Sequence, residues 1–231
     1  MRLKEYVSLE AILKLKSGLH IGAATTKEIG KGEPLPVMKS LINGSPYIPG
    51  SSLKGKMRCL FEMVYGKTSN GGPCECGECQ ICLLFGSGNA KTTFEPSRLI
   101  FRDIYLTKKS AETIEKLGLE TKPGVSIDRN TGKARGHSLF PIERIPAESE
   151  FDFIISCRIF ESDDKESIRK WLGVGLYLLE LDALGSGGTR GSGYIEFVNI
   201  VFDGQPFDEN WREEAKSIKD SLLKQVKIKK I

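Results

Sequence analysis

Ser45-Pro-Tyr-Ile-Pro-Gly-Ser-Ser-Leu-Lys-Gly-Lys-Met-Arg58 reads as the end of a strand, a rigid turn and the basic start of a helix. Pro49 and Gly50 stop the preceding element, and Ser51 or Ser52 can cap the helix. The first-turn N–H groups then face outward with the positive end of the helix dipole behind them. Lys54, Lys56 and Arg58 add charge beside that end, which suits a phosphate or a nucleic-acid backbone. An alternating-charge helix start is also what an ordinary solvated face looks like. Leu53, Met57, Leu60, Phe61 and Val64 recur at helical spacing and carry the helix to about Gly66, with Cys59 read as a small buried apolar residue.

Upstream, Val7, Leu9, Ala11, Leu13 and Leu15 alternate with polar residues between Tyr6 and Leu19, the pattern of a half-buried strand. Gly18-Leu-His-Ile-Gly22 follows, then a polar loop from Ala23 to about Lys39, a length more common in functional loops than in connectors. Downstream, Arg98 to Leu106 reads as a strand, apolar on both faces and so central, with Asp103 as a satisfied structural carboxylate. Ser126 to His137, turning at Asn130-Thr-Gly132, reads as an exposed hairpin arm carrying Arg129, Lys133 and Arg135, with His137 a surface residue. Phe151 to Phe160 is a further strand. Asp163 opens a helix with Ile168, Trp171, Leu172, Leu176, Leu179 and Leu181 as its apolar residues, and Tyr194 to Phe202 is the last strand. Trp211 to Lys230 reads as an amphipathic basic helix with a solvated surface role.

The order strand, helix, strand, strand, helix, strand predicts an α+β, ferredoxin-like sheet with helices on one face. One domain over 1–231 is expected, with a metal-binding insertion at 67–97 and the arm at 120–148. A net charge of +4 is too mild to establish a nucleic-acid partner, so local clustering must carry that reading. No apolar run could span a bilayer and the N-terminus lacks a signal-peptide core, so the expected place is the cytoplasm, with no membrane partner.

Four of the six cysteines, Cys74, Cys76, Cys79 and Cys82, are clustered, which in a reducing compartment favours metal over disulfides. Four thiolates around a Gly77 turn predict a structural Zn2+ with no open coordination position; an iron–sulfur cluster is the alternative. Leu184-Gly-Ser-Gly-Gly-Thr-Arg-Gly-Ser-Gly193 lies between a helix and a strand, the reverse of a dinucleotide-binding fingerprint, and is no P-loop. It reads as a flexible loop in which Gly187, Gly188 and Arg190 can approach phosphates or bases, or as a plain linker. His20 with Glu33 is the one pairing suited to acid–base work, and no hydrolase elbow or zinc-protease motif is present.

Together, Gly18 to Gly22, Tyr47 to Arg58, Arg98 to Asp103, Ile127-Asp-Arg129 with Thr131-Gly132, and the glycine loop resemble the RAMP superfamily. More narrowly, they are similar to the repeated backbone subunit of type III-A or III-D (Csm-type) CRISPR effector complexes, which serve antiviral defense. The resemblance implies an RNA-recognition-motif-like core and copies stacked in a filament along crRNA beside other subunits of the complex. It also implies a thumb-like arm that wedges into the guide–target duplex, with Ser51, Ser52, Lys54, Lys56, Arg58, Arg129, Arg135, Gly187, Gly188 and Arg190 on RNA. The family cuts target RNA through a loop Asp in a segment resembling Ile-Gly-x-x-Asp-x-Pro-Val, with Mg2+ or Mn2+. Here Ile29-Gly-Lys-Gly-Glu-Pro-Leu-Pro-Val37 puts Glu33 in that place, with one extra residue before Pro36. A target-cutting endoribonuclease, the same scaffold without cutting, and a repeat-RNA-processing RAMP endonuclease are the readings that follow.

Overall fold

Alternation in the first strand predicts one buried face, and Val7, Leu9, Ala11, Leu13 and Leu15 are all buried in the computed structural model, which describes residues 2–22, 35–68, 71–89 and 95–225. The elements are β1 (Leu3–Leu15), β2 (Tyr47–Ile48), α1 (Gly50–Tyr65), α2 (Gln80–Phe85), β3 (Leu99–Phe101), β4 (Ile104–Tyr105) and α3 (Lys108–Leu117). They continue as β5 (Glu120–Ile127), β6 (Ala134–Arg144), β7 (Glu150–Phe160), α4 (Lys165–Leu181), β8 (Ile195–Phe202), β9 (Gln205–Pro206) and α5 (Trp211–Gln225).

The main sheet has the order β3-β7-β1-β8-β9, and all four neighbouring pairs are antiparallel. With α1 after β1 and α4 after β7, this is the predicted ferredoxin-like path closed by a short extra strand. Leu13 opposes Phe151 on one side and Phe197 on the other, and the rings of Phe153 and Phe197 meet edge to face at 4.8 Å. α1 and α4 cover that apolar face and approach closely at Gly175, where a Cβ would lie 2.8 Å from Met57 Sδ. Phe61 and Trp171, ring centroids 5.3 Å apart, fill the space beside that contact.

The helix start differs from expectation in its cap. Pro49 is the N-cap, no Ser side chain caps, and Asp103 Oδ1 accepts the Gly50 N–H at 2.8 Å. Asp103 is therefore the structural carboxylate the sequence suggested, and it occupies one of the donors an anion would use. The Arg98 to Leu106 stretch is not one central strand. It breaks at Arg102-Asp103 into β3, at the sheet edge on β7, and β4, which pairs with β2. The break lets the chain run under the helix start, so close that a Cβ at Gly50 would sit 2.8 Å from Arg102 C and O and from Phe101 O. Gly50→Ala should destabilise the protein by about 2 kcal/mol through this overlap, read as a lowered denaturant midpoint with an unchanged slope.

Three further expectations need correction. Cys59 is exposed, because the buried positions Leu53, Met57, Leu60 and Phe61 define the opposite face of α1. Leu181 is 61% exposed at the end of α4, and Leu184, just beyond, takes the buried place. α5 is not merely solvated: Trp211 and Ala215 are buried, and the helix packs on α4. Its Arg212 pairs with Glu180 at 2.7 Å and donates to the Phe197 carbonyl, while Glu180 Oε1 accepts the Phe197 N–H at 2.7 Å. Both polar groups of Phe197 on β8 are thus taken by side chains. No helix of the described residues is long and apolar enough to cross a membrane.

Candidate nucleic-acid interface and metal centre

β5 and β6 form an antiparallel hairpin, the arm, paired from Glu120 with Arg144 out to Ile127 with Ala134. At its tip Gly132 adopts φ 68 and donates to the Asp128 carbonyl, while Asp128 N–H donates to the Lys133 carbonyl. Asp128 Oδ1 accepts from the Asn130 and Thr131 N–H groups and from the Thr131 hydroxyl. These donors, Thr131 N–H foremost, hold its carboxyl below the usual range and so keep the turn anionic and tied at neutral pH. Arg129 and Arg135 are exposed beside it, with Arg135 Nε 4.0 Å from Asp128 Oδ2. Val125 and Ile127 are about half exposed on β5, an apolar contribution that charge alone did not predict.

The arm's base meets three other segments. Gly18 to His20 leaves β1 and runs under the glycine loop: Ser186 N–H donates to the His20 carbonyl at 2.9 Å and Gly193 N–H to the Gly18 carbonyl at 3.0 Å. Gly185 and Gly193, both at positive φ, press against the His20 and Leu184 carbonyls where any side chain would collide. The loop is therefore stapled down, not free, and its outer turn, a 3-10 helix from Gly188 to Arg190, carries Arg190 exposed. Gly187, also at positive φ, turns the chain into that helix. Lys122 Nζ on β5 donates to the Arg190 carbonyl at 3.2 Å, joining arm and loop.

His20 is buried, and its Nδ1 lies 2.7 Å from the Glu143 carbonyl, which makes that nitrogen the donor. Glu143 gathers the chain on its other side, accepting the Val37 N–H at 3.0 Å and Lys39 Nζ at 2.8 Å, while its own N–H donates to Leu35. Gly22 and Val37 face each other as a bridge, so both stems of the 23–34 segment are seated at the arm base. Glu33 itself lies outside the described residues, and the His20 with Glu33 pairing with it.

Around the start of α1 the predicted residues separate. Ser51 is exposed, and Lys56 pairs with Asp182 at 3.2 Å. Arg58 is committed to structure: Nε donates to Glu62 Oε1 at 2.8 Å and Nη2 to the Cys74 carbonyl at 2.7 Å. Lys54 has no ion pair among the described residues. Partial burial first, then the neighbouring Arg58 and Arg158 cations, lower its pKa. Ser52 lies on the first turn of α1, its N–H turned to the Pro49 carbonyl.

The four predicted thiols converge. The Sγ atoms of Cys74, Cys76, Cys79 and Cys82 all lie within 4.8 Å of one another, with Cys74 to Cys76 at 3.5 Å, Cys74 to Cys79 at 3.8 Å and Cys76 to Cys82 at 3.9 Å. A tetrahedron of sulfurs about 2.3 Å from one ion has edges of about 3.8 Å, so the set fits a single metal. Gly77, at φ 75, makes the tight turn between the second and third thiols. Burial pushes the Cys82 thiol up to about 12, whereas Cys76 falls to about 6 because donors from Glu78, Cys79 and Cys74 outweigh its own burial. The knuckle is bolted to α1, since Glu62 Oε1 accepts both Arg58 and the Cys74 N–H at 2.9 Å. It is also less peripheral than the sequence implied, because Ile81, Leu84 and Phe85 of α2 belong to the main core.

Sequence reasoning missed Glu62, Glu143, Arg144 and Ser192. Only Glu62 left a trace, its i,i+4 spacing from Arg58; the others act across segments far apart in the chain.

Comparison with known proteins agrees with this geometry. The RAMP superfamily pattern matches residues 12–196. The chain belongs to the RAMP superfamily. It is 38% identical over 229 residues to the protein of Methanocaldococcus jannaschii named CRISPR system Cms endoribonuclease Csm3, covering 94% of this chain and 91% of that one. The protein of the same name from Methanothermobacter thermautotrophicus is 39% identical, covering 92% and 91%. A solved structure described as the Csm3-Csm4 subcomplex in the type III-A CRISPR-Cas interference complex superposes with a TM-score of 0.58 at 32% identity, covering 97% of this chain and 98% of that one.

Proposed function

We propose that this chain is a crRNA-binding backbone subunit of a type III CRISPR interference complex, copies of which stack along the guide beside other subunits and bind complementary target RNA. The arm root supports this reading most: the glycine loop and the stems of the 23–34 segment are both fastened to it, so an RNA backbone on the loop would run beside the arm. Lys54, Arg190 and the tip residues Arg129 and Arg135 would contact phosphates, which positions RNA without reading its sequence. Arg58 would act through the metal knuckle and not on RNA. The cysteine cluster would hold a structural Zn2+, the ion suited to four thiolates in a closed tetrahedron.

Target cleavage is proposed through Glu33, the carboxylate in the place of the family's loop Asp. A bound Mg2+ or Mn2+ would supply charge neutralisation at the cleaved phosphate. The scaffold without cutting is the second reading, and the longer side chain and the extra residue before Pro36 favour it.

Purification of the chain with its complex and sequencing of the bound RNA should recover repeat-flanked guides. Recovery of bulk cellular RNA alone would overturn the guide-binding reading. Joint replacement of Lys54 and Arg190 by alanine should weaken unrelated guides about equally and reduce the slope of affinity against salt by roughly two. A loss confined to one guide would show base readout instead.

A further inference from the structure

Arg144 stands at the arm's root and touches both the arm and the glycine loop. It is buried where β6 enters the core; Nη1 donates to Ser192 Oγ of the glycine loop at 3.1 Å, and Nη2 to Glu120 Oε1 at the first residue of β5. The guanidinium packs against Gly18, so that a Cβ there would sit 2.8 Å from both Cζ and Nε and 2.9 Å from Glu120 Oε2. Its buried Nε has no hydrogen-bond partner, a cost that a lysine would not carry. What a lysine lacks is the fork, which holds two acceptors on different segments at once. Lys122 adds a second tie between the same two parts through the Arg190 carbonyl. On the neighbouring position of the same strand Glu143 holds Val37 and Lys39, so successive side chains of β6 fasten opposite sides of the arm root.

We propose that Arg144 is a positioning residue that joins the glycine loop to the arm, so that an RNA backbone bound on the loop sets where the arm stands for the strand that pairs next. This deepens the proposed function and rests on the glycine loop being a guide contact. The tie makes guide occupancy and target capture coupled events.

Two measurements separate the tie from the reading it rests on. In the free protein, Glu120→Ala removes only the arm-side acceptor, and hydrogen exchange at the Ser192 and Gly193 amides should speed at least threefold; unchanged exchange would overturn the tie whatever RNA does. In the guide-loaded assembly, Arg144→Lys should leave guide affinity within about threefold of the parent while weakening complementary target RNA at least tenfold. Gly18→Ala, which keeps every charge but intrudes on the guanidinium and its Glu120 partner, should do the same. Equal losses of guide and target, or no loss of either, would overturn the coupling. A parent that binds no guide would remove the proposed function and leave the exchange result to decide the tie alone.

Discussion

Glu33→Ala should abolish cutting of a complementary target by the guide-loaded assembly, with at least a hundredfold fall in single-turnover rate and target affinity within about threefold of the parent. A carboxylate that binds a divalent ion and aids attack by the RNA 2′-hydroxyl acts in the transition state, so its loss lowers the rate more than binding. Glu33→Asp should raise the rate if the extra methylene displaces the oxygens by about an ångström, a misplacement that can cost on the order of a hundredfold. The assay needs labelled target, Mg2+ or Mn2+, and products mapped at nucleotide resolution. Cleavage at regular spacing that survives in Glu33→Ala would assign the cutting to another group. A parent that binds target and leaves it intact would establish the scaffold reading.

The second large effect concerns the metal. The folded protein should carry about one zinc per chain, and Cys82→Ser should release it and lower the melting temperature by roughly 10 °C, the shift expected for a loss of about 3 kcal/mol in a chain of this size. Cys82 is chosen because it is buried, starts beside Ile81 and leads directly into Leu84 and Phe85 of the core, so the insertion cannot loosen alone. Cys76→Ser, at an exposed position, should lose metal with a smaller fall. Ligation displaces thiol protons, so zinc should be retained at high pH and lost first on acidification, checked by elemental analysis after dialysis across the range. A folded, reduced sample without metal would remove the site.

The local parts of this fold were legible and the joints between them were not. Period-two alternation in Val7 to Leu15 and helical spacing in Leu53 to Phe61 placed β1 and α1 because each pattern is written within one element. The arm was legible at Asn130-Thr-Gly132, since a residue at positive φ is needed there. The cysteine spacing announced the converging thiol cluster, because it too is written within one short stretch. By contrast, Asp103 caps a helix 53 residues earlier in the chain, and nothing near either residue records that. Its role also explains the misread strand, since the chain breaks where that side chain turns to Gly50. α3 went unread although Thr107, whose hydroxyl accepts the Ser110 N–H, and Gly118 mark its two ends; its outer face is too polar for a periodic apolar stripe to show. The glycine loop looked flexible by composition, but glycine there serves close packing on His20 and Leu184.

The side chains of Glu180 and Arg212 that occupy the N–H and C=O of Phe197 have a consequence for assembly. An open strand is a template on which another chain can add without limit and without regard to sequence. Here that template is blunted in its middle by an ion pair reaching in from two helices. In the proposed stack, pairing of copies through this stretch of β8 is therefore disfavoured. Growth by strand addition at this edge is discouraged, so the proposed array would take its length from the RNA it lies on and not from its own sheet.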